Sequence, residues 1–446
     1  KLINFWGSIF VISLILGFDN PLSHALYSLP VPLLTNSSAS RIFFITSLSG
    51  AILLALSMDK FILDKMFSKY LLKSTLLTLS LLLIVFFIFA IAIFGSGLDY
   101  LSDTTQSNLK VSLRNSVIPI SLLVLLALSL KFFNKKFALL FIVVILFFDL
   151  GRYFLKHSPF VDSSLIYPNT PVIDFLQKKQ GLFRIARADA EIMPPNTWIA
   201  YGLSSAEGYD PLSVGRYSRF MNRANGGSFR AGVSRYVEVK SYPSKFLDAL
   251  GVKYFLGVKR DNEGRVKGDF LNKKLEMAGF RKVFEDKNSV VLENPNSKDR
   301  AYFVGKVNWA RSEQELEFLI DSVNFDPTKQ AILEGSGEQM SFSDTGKIEI
   351  THYKPSTLTL KTETDGTRFM VLADTFDKGW KLYENGQKKN LYIANGALRG
   401  IFVGRGINEY QLEYWPNSFD AGLKITLISL LVLSVVIFYT IFKKKW

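Results

Sequence analysis

Carboxylates, amides, arginines and tyrosines crowd into one short stretch of this chain of 446 residues. It runs from Met193-Pro194-Pro195-Asn196-Thr197 to Tyr201-Gly202, then Glu207-Gly208-Tyr209-Asp210-Pro211-Leu212 and Arg216-Tyr217. Sugar sites are built from such groups: carboxylates and amides hydrogen-bond hydroxyls, and aromatic faces cover the apolar side of a ring. Asn196, Glu207, Tyr209, Asp210 and Arg216 are therefore candidate substrate-binding residues. A structural reading weighs equally, a Pro/Gly-shaped loop that docks a soluble domain on membrane helices, because local pattern alone does not make a site.

A second locus lies between residues 18 and 41, where Asp19, Asn20, His24 and Arg41 are joined by a loop that Pro21, Pro30 and Pro32 restrain. The Arg41 guanidinium suits a lipid phosphate, as a site residue or as a snorkelling anchor among headgroups. Asp19 is the candidate catalytic base. Other chemistries have less to stand on. The chain has no cysteine, and its three histidines, His24, His157 and His352, lack ligand spacing, so no metal site is expected. Asp374 and Asp377 read as turn residues at a strand end, and Gly95-Ser96-Gly97 and Gly404-Arg405-Gly406 as a helix exit and a turn. No phosphate-cradling or nucleophile-elbow motif is present.

The elements that must hold these residues fall into two populations. A bilayer core of about 30 Å needs about 20 apolar residues in a helix. Segments 2–17, 42–58, 70–94, 116–132, 137–150 and 421–442 qualify or nearly do, which predicts six spans. The chain opens at Lys1 almost inside the first of them, as the continuation of a longer protein would. Lysine plus arginine exceeds the acids, 53 against 39, and most of the excess flanks the apolar runs. That placement suits a membrane orientation signal and argues against a nucleic-acid partner. Phe, with 38 residues, outnumbers Tyr and Trp together, which suits contact with lipid. Lys60, Lys65 and Lys69, then Lys131, Lys135 and Lys136, then Lys443, Lys444 and Lys445 fall on one side if six spans alternate. By the positive-inside rule that side and the C-terminus are cytoplasmic, and residues 152–420 are extracytoplasmic.

Between the spans the pattern is that of a soluble fold. Thr170-Pro171 to Gly181 predicts a short helix, 183–187 a strand, 246–250 a helical turn leading into a strand at 253–258. A hairpin is expected over 281–285 and 290–293, and an acidic amphipathic helix from Ser312 to Ile320 with a Ser312/Glu315 capping box. After Gly346 short alternating segments recur with Asn385-Gly386 and Asn395-Gly396 between them, the signature of a β-sandwich. The expected fold class is a multi-pass α-helical membrane domain plus an extracytoplasmic α/β domain that ends in a β-sandwich and is closed by a C-terminal transmembrane helix. The expected divisions are a bundle at 1–151, an α+β domain at 152–345, the sandwich at 346–420 and a helix with a basic tail at 421–446.

The polar stretch from Pro195-Asn196 through Gly208-Tyr209-Asp210-Pro211-Leu212 to Arg216-Tyr217 resembles the bacterial membrane protein YfhO family. Leu29-Pro30, Ser40-Arg41, Asp149-Leu150, Gly379-Trp380-Lys381-Leu382-Tyr383-Glu384-Asn385-Gly386, Asn395-Gly396-Ala397-Leu398-Arg399-Gly400 and Tyr414-Trp415-Pro416-Asn417-Ser418 extend the likeness in order along nearly the whole chain. The resemblance implies a GT-C type glycosyltransferase-like protein. Its donor would be a polyprenyl-phosphate-linked sugar, its acceptor a cell-envelope glycan or polymer, and its place the cytoplasmic membrane. It leaves the cofactor open, a divalent cation included, and implies that the usual catalytic acid precedes Lys1. In this reading Arg41 serves the donor phosphate, and Asp210 or Glu207 the sugar. The rival expectation is a non-catalytic membrane protein that binds or organises envelope polysaccharide. A transporter fits less well, because ionisable residues sit near the ends of the spans.

Overall fold

The computed structural model describes residues 1–29, 39–94, 102–158, 160–188, 192–230, 232–260, 264–265 and 270–443. The expectations placed on Pro30, Pro32, Gly95-Ser96-Gly97, Lys444 and Lys445 lie outside these residues. The chain divides into two compact units, Lys1–Val161 and Asp162–Trp446.

The first unit is helical. After Leu2–Gly17 and Pro21–Tyr27 come a 3-10 turn Ala39–Ile42 and four long helices, Phe43–Leu63, Lys65–Phe94, Asp103–Phe132 and Lys135–His157. These four, with Asn417–Lys443 of the second unit, each contain a stretch long and apolar enough to cross a bilayer, so the protein is a membrane protein with five such helices among the described residues. The expected first span differs. Leu2–Gly17 has 16 residues and is bent by 87° from Pro21–Tyr27, so it makes a sixth crossing only if the bent pair counts as one. Asn20 makes the break: its side chain accepts from the N–H groups of Leu22 and Ser23 and donates to the carbonyl of Ile15 at 2.6 Å, while Pro21 opens the next helix.

Small residues let Leu2–Gly17 lie close against Phe43–Leu63. Thr46 Oγ1 donates to Ser13 Oγ at 2.8 Å, and a Cβ on Gly17 would come within 2.7 Å of the Phe43 ring. Other helices run further than their apolar cores. Asp103–Phe132 begins well before the expected 116 because Ser102 caps its polar first turns, and the expected 137–150 span extends to His157. Lys135 Nζ donates to the carbonyl of Asp64 at 2.9 Å. That bond brings the turn at 64 and the turn at 133–135, each flanked by lysines, to one end of the bundle.

In the second unit a four-stranded sheet has the order Arg184–Arg187, Val252–Val258, Ser289–Glu293, Arg281–Glu285, with the first pair parallel. A seven-stranded sheet runs Met340–Ser341, Lys306–Ala310, Gln330–Glu334, Tyr392–Ala394, Leu398–Val403, Arg368–Thr375, Ala301–Val304. A five-stranded antiparallel sheet runs Lys347–Lys354, Thr357–Thr364, Gly406–Tyr414, Trp380–Glu384, Gln387–Lys389. The last two sheets share a core of Phe303, Leu358, Leu360, Met370, Leu372, Leu382, Ile401, Val403, Tyr410 and Leu412, which makes them a β-sandwich. Its larger sheet takes strands from both sides of residue 345.

Arg368–Thr375 is buried along almost its whole length because the helices Gly215–Ala224, Lys245–Ala249 and Glu313–Asp321 contribute to a second core, on the sheet's other face. Thr357–Thr364 lies on the outer sheet and alternates, with Leu358 and Leu360 inward. Asn385-Gly386 has φ of 47° and 81° and closes a two-residue hairpin, as its sequence predicts. The Ser312 helix is half a capping box. Ser312 accepts from Glu315 N–H, but the Glu315 carboxylate accepts from Arg311 N–H instead of Ser312 N–H.

Candidate functional site

In the helical unit the break at residues 18–20 presents Asp19 to His24, one turn into the short helix Pro21–Tyr27. His24 Nε2 and Asp19 Oδ1 are 2.6 Å apart, with both side chains exposed. A carboxylate held by an imidazole is a group able to move a proton, and the bond orients each partner. Asn20, between them in sequence, is spent on the break itself. Arg41 is exposed in the turn Ala39–Ile42.

In the second unit the polar stretch 193–217 bonds mostly to itself. Asn196 takes φ 70°, and its side chain mimics a backbone bridge: Nδ2 donates to Tyr209 O at 2.7 Å and Oδ1 accepts from Tyr209 N–H at 3.1 Å. Glu207 is buried against Arg187, with side-chain exposures of 2% and 3%. Its Oε2 accepts from Arg187 N–H and Nε, and its Oε1 from Val239 N–H. The Tyr209 ring lies on Tyr236 with centroids 4.4 Å apart. Tyr217 donates to Ala206 O at 2.6 Å, and burial pushes its phenol up to about 12. Asp210 is exposed, and its Oδ1 accepts from Leu212 N–H at 2.8 Å in an Asx turn.

That turn launches the helix Gly215–Ala224, which carries Arg216, Arg219 and Arg223 on one face. Arg216 pairs with Glu334, through Nη2 at 3.2 Å from Oε2, and donates to Gly396 O. Arg219 pairs with Glu313 at 2.5 Å and Arg223 with Asp321 at 3.3 Å, so the acidic helix Glu313–Asp321 lies along the basic one. Arg223, Arg219 and Arg216 at spacings of four and three, opposite acids at 313, 317 and 321, were a signal in the sequence. Neither period identifies its partner, however, until the fold brings the helices together.

Arg216 and Arg219 form part of the wall of a cleft of about 610 Å³, with Arg230, Lys378, Glu313, Asp377 and the apolar Phe376 and Ile393. Arg230 is 83% exposed and stands at its rim. Cations, carboxylates and one aromatic face around an open cleft can hold a hydroxylated, partly anionic chain. Of the candidate substrate-binding residues, Arg216 alone lines this cleft. Asn196, Glu207, Tyr209 and Asp210 build the loop and turn that precede its helix.

Asp377 accepts from Gly379 N–H at 2.7 Å, as a turn residue does. Asp374 does not follow the turn expectation. It is buried in strand Arg368–Thr375, where Arg184 Nη2 meets it at 2.9 Å, Arg300 Nη1 at 3.4 Å and the Tyr353 hydroxyl at 3.0 Å. Burial pushes its carboxyl up, and Arg184, Arg300, Arg399 and the Tyr353 hydroxyl more than offset that, leaving it below its ordinary value. Arg399 stacks on Trp380, 3.8 Å from the ring centroid. The cluster draws on five separate strands and on Arg300, which precedes a sixth, so no local pattern announced it. Among the described residues no three His, Asp or Glu side chains converge as a metal site.

Comparison with known proteins finds a likeness to the "Uncharacterized protein YfhO" of Bacillus subtilis (strain 168), 26% identical over 109 residues. The match covers 24% of this chain and 12% of that protein. No protein-family profile matches the chain, and no solved structure matches it.

Proposed function

We propose that this chain is part of a membrane glycosyltransferase that moves a sugar from a polyprenyl-phosphate carrier to a cell-envelope glycan or polymer outside the cytoplasmic membrane. The observation that carries this reading is the Arg216 cleft, open and lined by charge and an aromatic ring, on the sheet-rich unit of a chain whose described residues include five helices able to cross a bilayer. The ordered motifs that resemble the YfhO family support it, as does the likeness of 24% of the chain to the Bacillus subtilis protein of that name. In this mechanism the cleft binds a stretch of the acceptor chain. A carboxylate takes the proton of its attacking hydroxyl, and cations stabilise the departing lipid phosphate. Asp19, oriented by His24, is the base this chain offers, and Arg41 the phosphate partner. Residues 152–420, which hold the sheets, stand outside the cell membrane, and the lysine-flanked turns and the C-terminus face the cytoplasm.

The test is sugar content of the envelope polymer in cells that carry the protein with Arg216→Gln and Arg219→Gln together. Losing two guanidiniums that line the cleft is expected to cut modification at least about tenfold at unchanged protein level, about 1.4 kcal/mol or more. Unchanged modification contradicts the assignment of the cleft.

A second reading, a non-catalytic membrane protein that binds or organises envelope polysaccharide, is favoured by the fate of Glu207 and Asp210. Both carboxylates of the family-like stretch accept hydrogen bonds from the protein itself. Asp19→Asn separates the readings. A transferase loses sugar transfer and keeps glycan binding, whereas a binding protein changes in neither.

A further inference from the structure

We infer that the buried arginine cluster of the sandwich is a binding site for an oxyanion, a phosphate or carboxylate group carried by a ligand. This assignment does not depend on the transferase reading. Three guanidiniums, Arg184, Arg300 and Arg399, surround one carboxylate, Asp374, and all four residues are buried. Charges inside a protein are paired or cost several kcal/mol each; Asp377 also acts on Arg399, so the cation left without a carboxylate of its own is Arg300, a cost that a bound anion removes.

The individual bonds show where that anion is missing. Arg184 is spent on Asp374 and on Leu250 O, at 2.6 Å. Arg399 Nε is spent on Thr375 O and its plane on Trp380. Among the described residues the Arg300 side chain has only the long 3.4 Å contact to Asp374 and the face of Tyr353, and its Nε is buried without a hydrogen-bond partner. Burial and the charge of Arg184 hold the Arg300 guanidinium below its ordinary pKa, the direction that uncompensated positive charge produces.

Arg300 also lines a cleft of about 1030 Å³. Along its sides Lys347 pairs with Glu363, Lys253 with Glu293 and Lys361 with Glu409, while Asp299, Asp344, Glu349 and Lys298 also line it. Four lysines against six acids leave these sides net acidic, so positive charge is confined to the arginine cluster behind Arg300. Arg300 is buried at the edge of this polar cleft, and a guanidinium is suited to bidentate capture of phosphate or carboxylate.

Equilibrium dialysis of the full-length, detergent-solubilised protein against labelled inorganic phosphate, at ionic strength held constant with chloride, tests this. Saturable binding near one phosphate per chain is expected, with a melting temperature that rises with phosphate. Arg300→Gln is expected to abolish both. If that variant does not fold, Arg300→Lys, which keeps the charge and loses the fork, is expected to weaken binding at least about tenfold. Nanodiscs of phosphatidylglycerol and of phosphatidylcholine identify the source. Displacement of labelled phosphate by the anionic lipid alone marks a lipid headgroup, and displacement by neither marks a soluble or polymer-borne anion. Absence of saturable phosphate binding to the unmodified protein, or binding unchanged by both variants, overturns the proposal.

Discussion

Arg184 and Asp374, 190 positions apart, meet at 2.9 Å inside the sheet-rich unit and tie the first strand of its four-stranded sheet to a central strand of its sandwich. Asp374 is the one carboxylate among three buried guanidiniums. Removing its charge leaves those cations facing one another. Asp374→Asn is expected to destabilise the unit by about 3–5 kcal/mol, the range for breaking a buried pair. Tyr353→Phe removes one hydrogen bond to the same carboxylate and is expected to cost about 1 kcal/mol. Denaturant unfolding of the full-length protein measures both, and equal effects would contradict the central place of Asp374.

The same pair sets an acid limb of stability. The Asp374 pKa is lowered in the folded chain, whereas an unfolded aspartate titrates near about 3.9. The stabilisation is therefore fully present above about pH 4 and is lost as pH falls through the lower folded-state value. Melting curves recorded downward from pH 6 are expected to show this loss in the unmodified protein. Asp374→Asn lacks that component, so its stability falls less steeply over the same interval.

Glu207 and Asp210 stand three positions apart and respond oppositely to the same chemistry. Glu207→Gln breaks a pair buried on both sides and is expected to cost about 3–5 kcal/mol, with loss of expressed protein. Asp210→Asn retains an acceptor oxygen for Leu212 N–H at an exposed turn, so a loss of about 1 kcal/mol or less is expected, with normal glycan modification. Lost modification in a well-expressed Asp210→Asn strain would return Asp210 to the site.

Much of this architecture was legible where one segment answers by itself. Apolar runs that reach or nearly reach the length of a bilayer core marked Phe43–Leu63, Lys65–Phe94, Asp103–Phe132, Lys135–His157 and Asn417–Lys443, and Asn385-Gly386 marked its hairpin. What escaped needed partners distant in sequence. Ala301–Val304 and Lys306–Ala310 gave no sign that they belong with Leu398–Val403 in one sheet. Asp374 looked like the end of a strand because its three arginines come from positions 184, 300 and 399. Around the cleft Arg216 was legible and Arg219 follows it at helical spacing, but Arg230 and Lys378 were not legible, since nothing in their local spacing brings them to Arg216. The polar stretch 193–217 was conspicuous for a structural reason as well: a loop that turns on Asn196, Glu207 and Asp210 must bond its own backbone.

The account rests above all on the sheet-rich unit lying outside the membrane, where a lipid-carried sugar and an envelope acceptor would meet. The chain has no cysteine, so one introduced thiol is the only thiol. Val323 is 94% exposed in the sheet-rich unit, and Lys60 is exposed near the lysine-flanked turn at Asp64. In intact cells an impermeant maleimide is expected to label Val323→Cys and to leave Lys60→Cys unlabelled until the cells are opened. Labelling of Lys60→Cys with protection of Val323→Cys in intact cells would contradict the account.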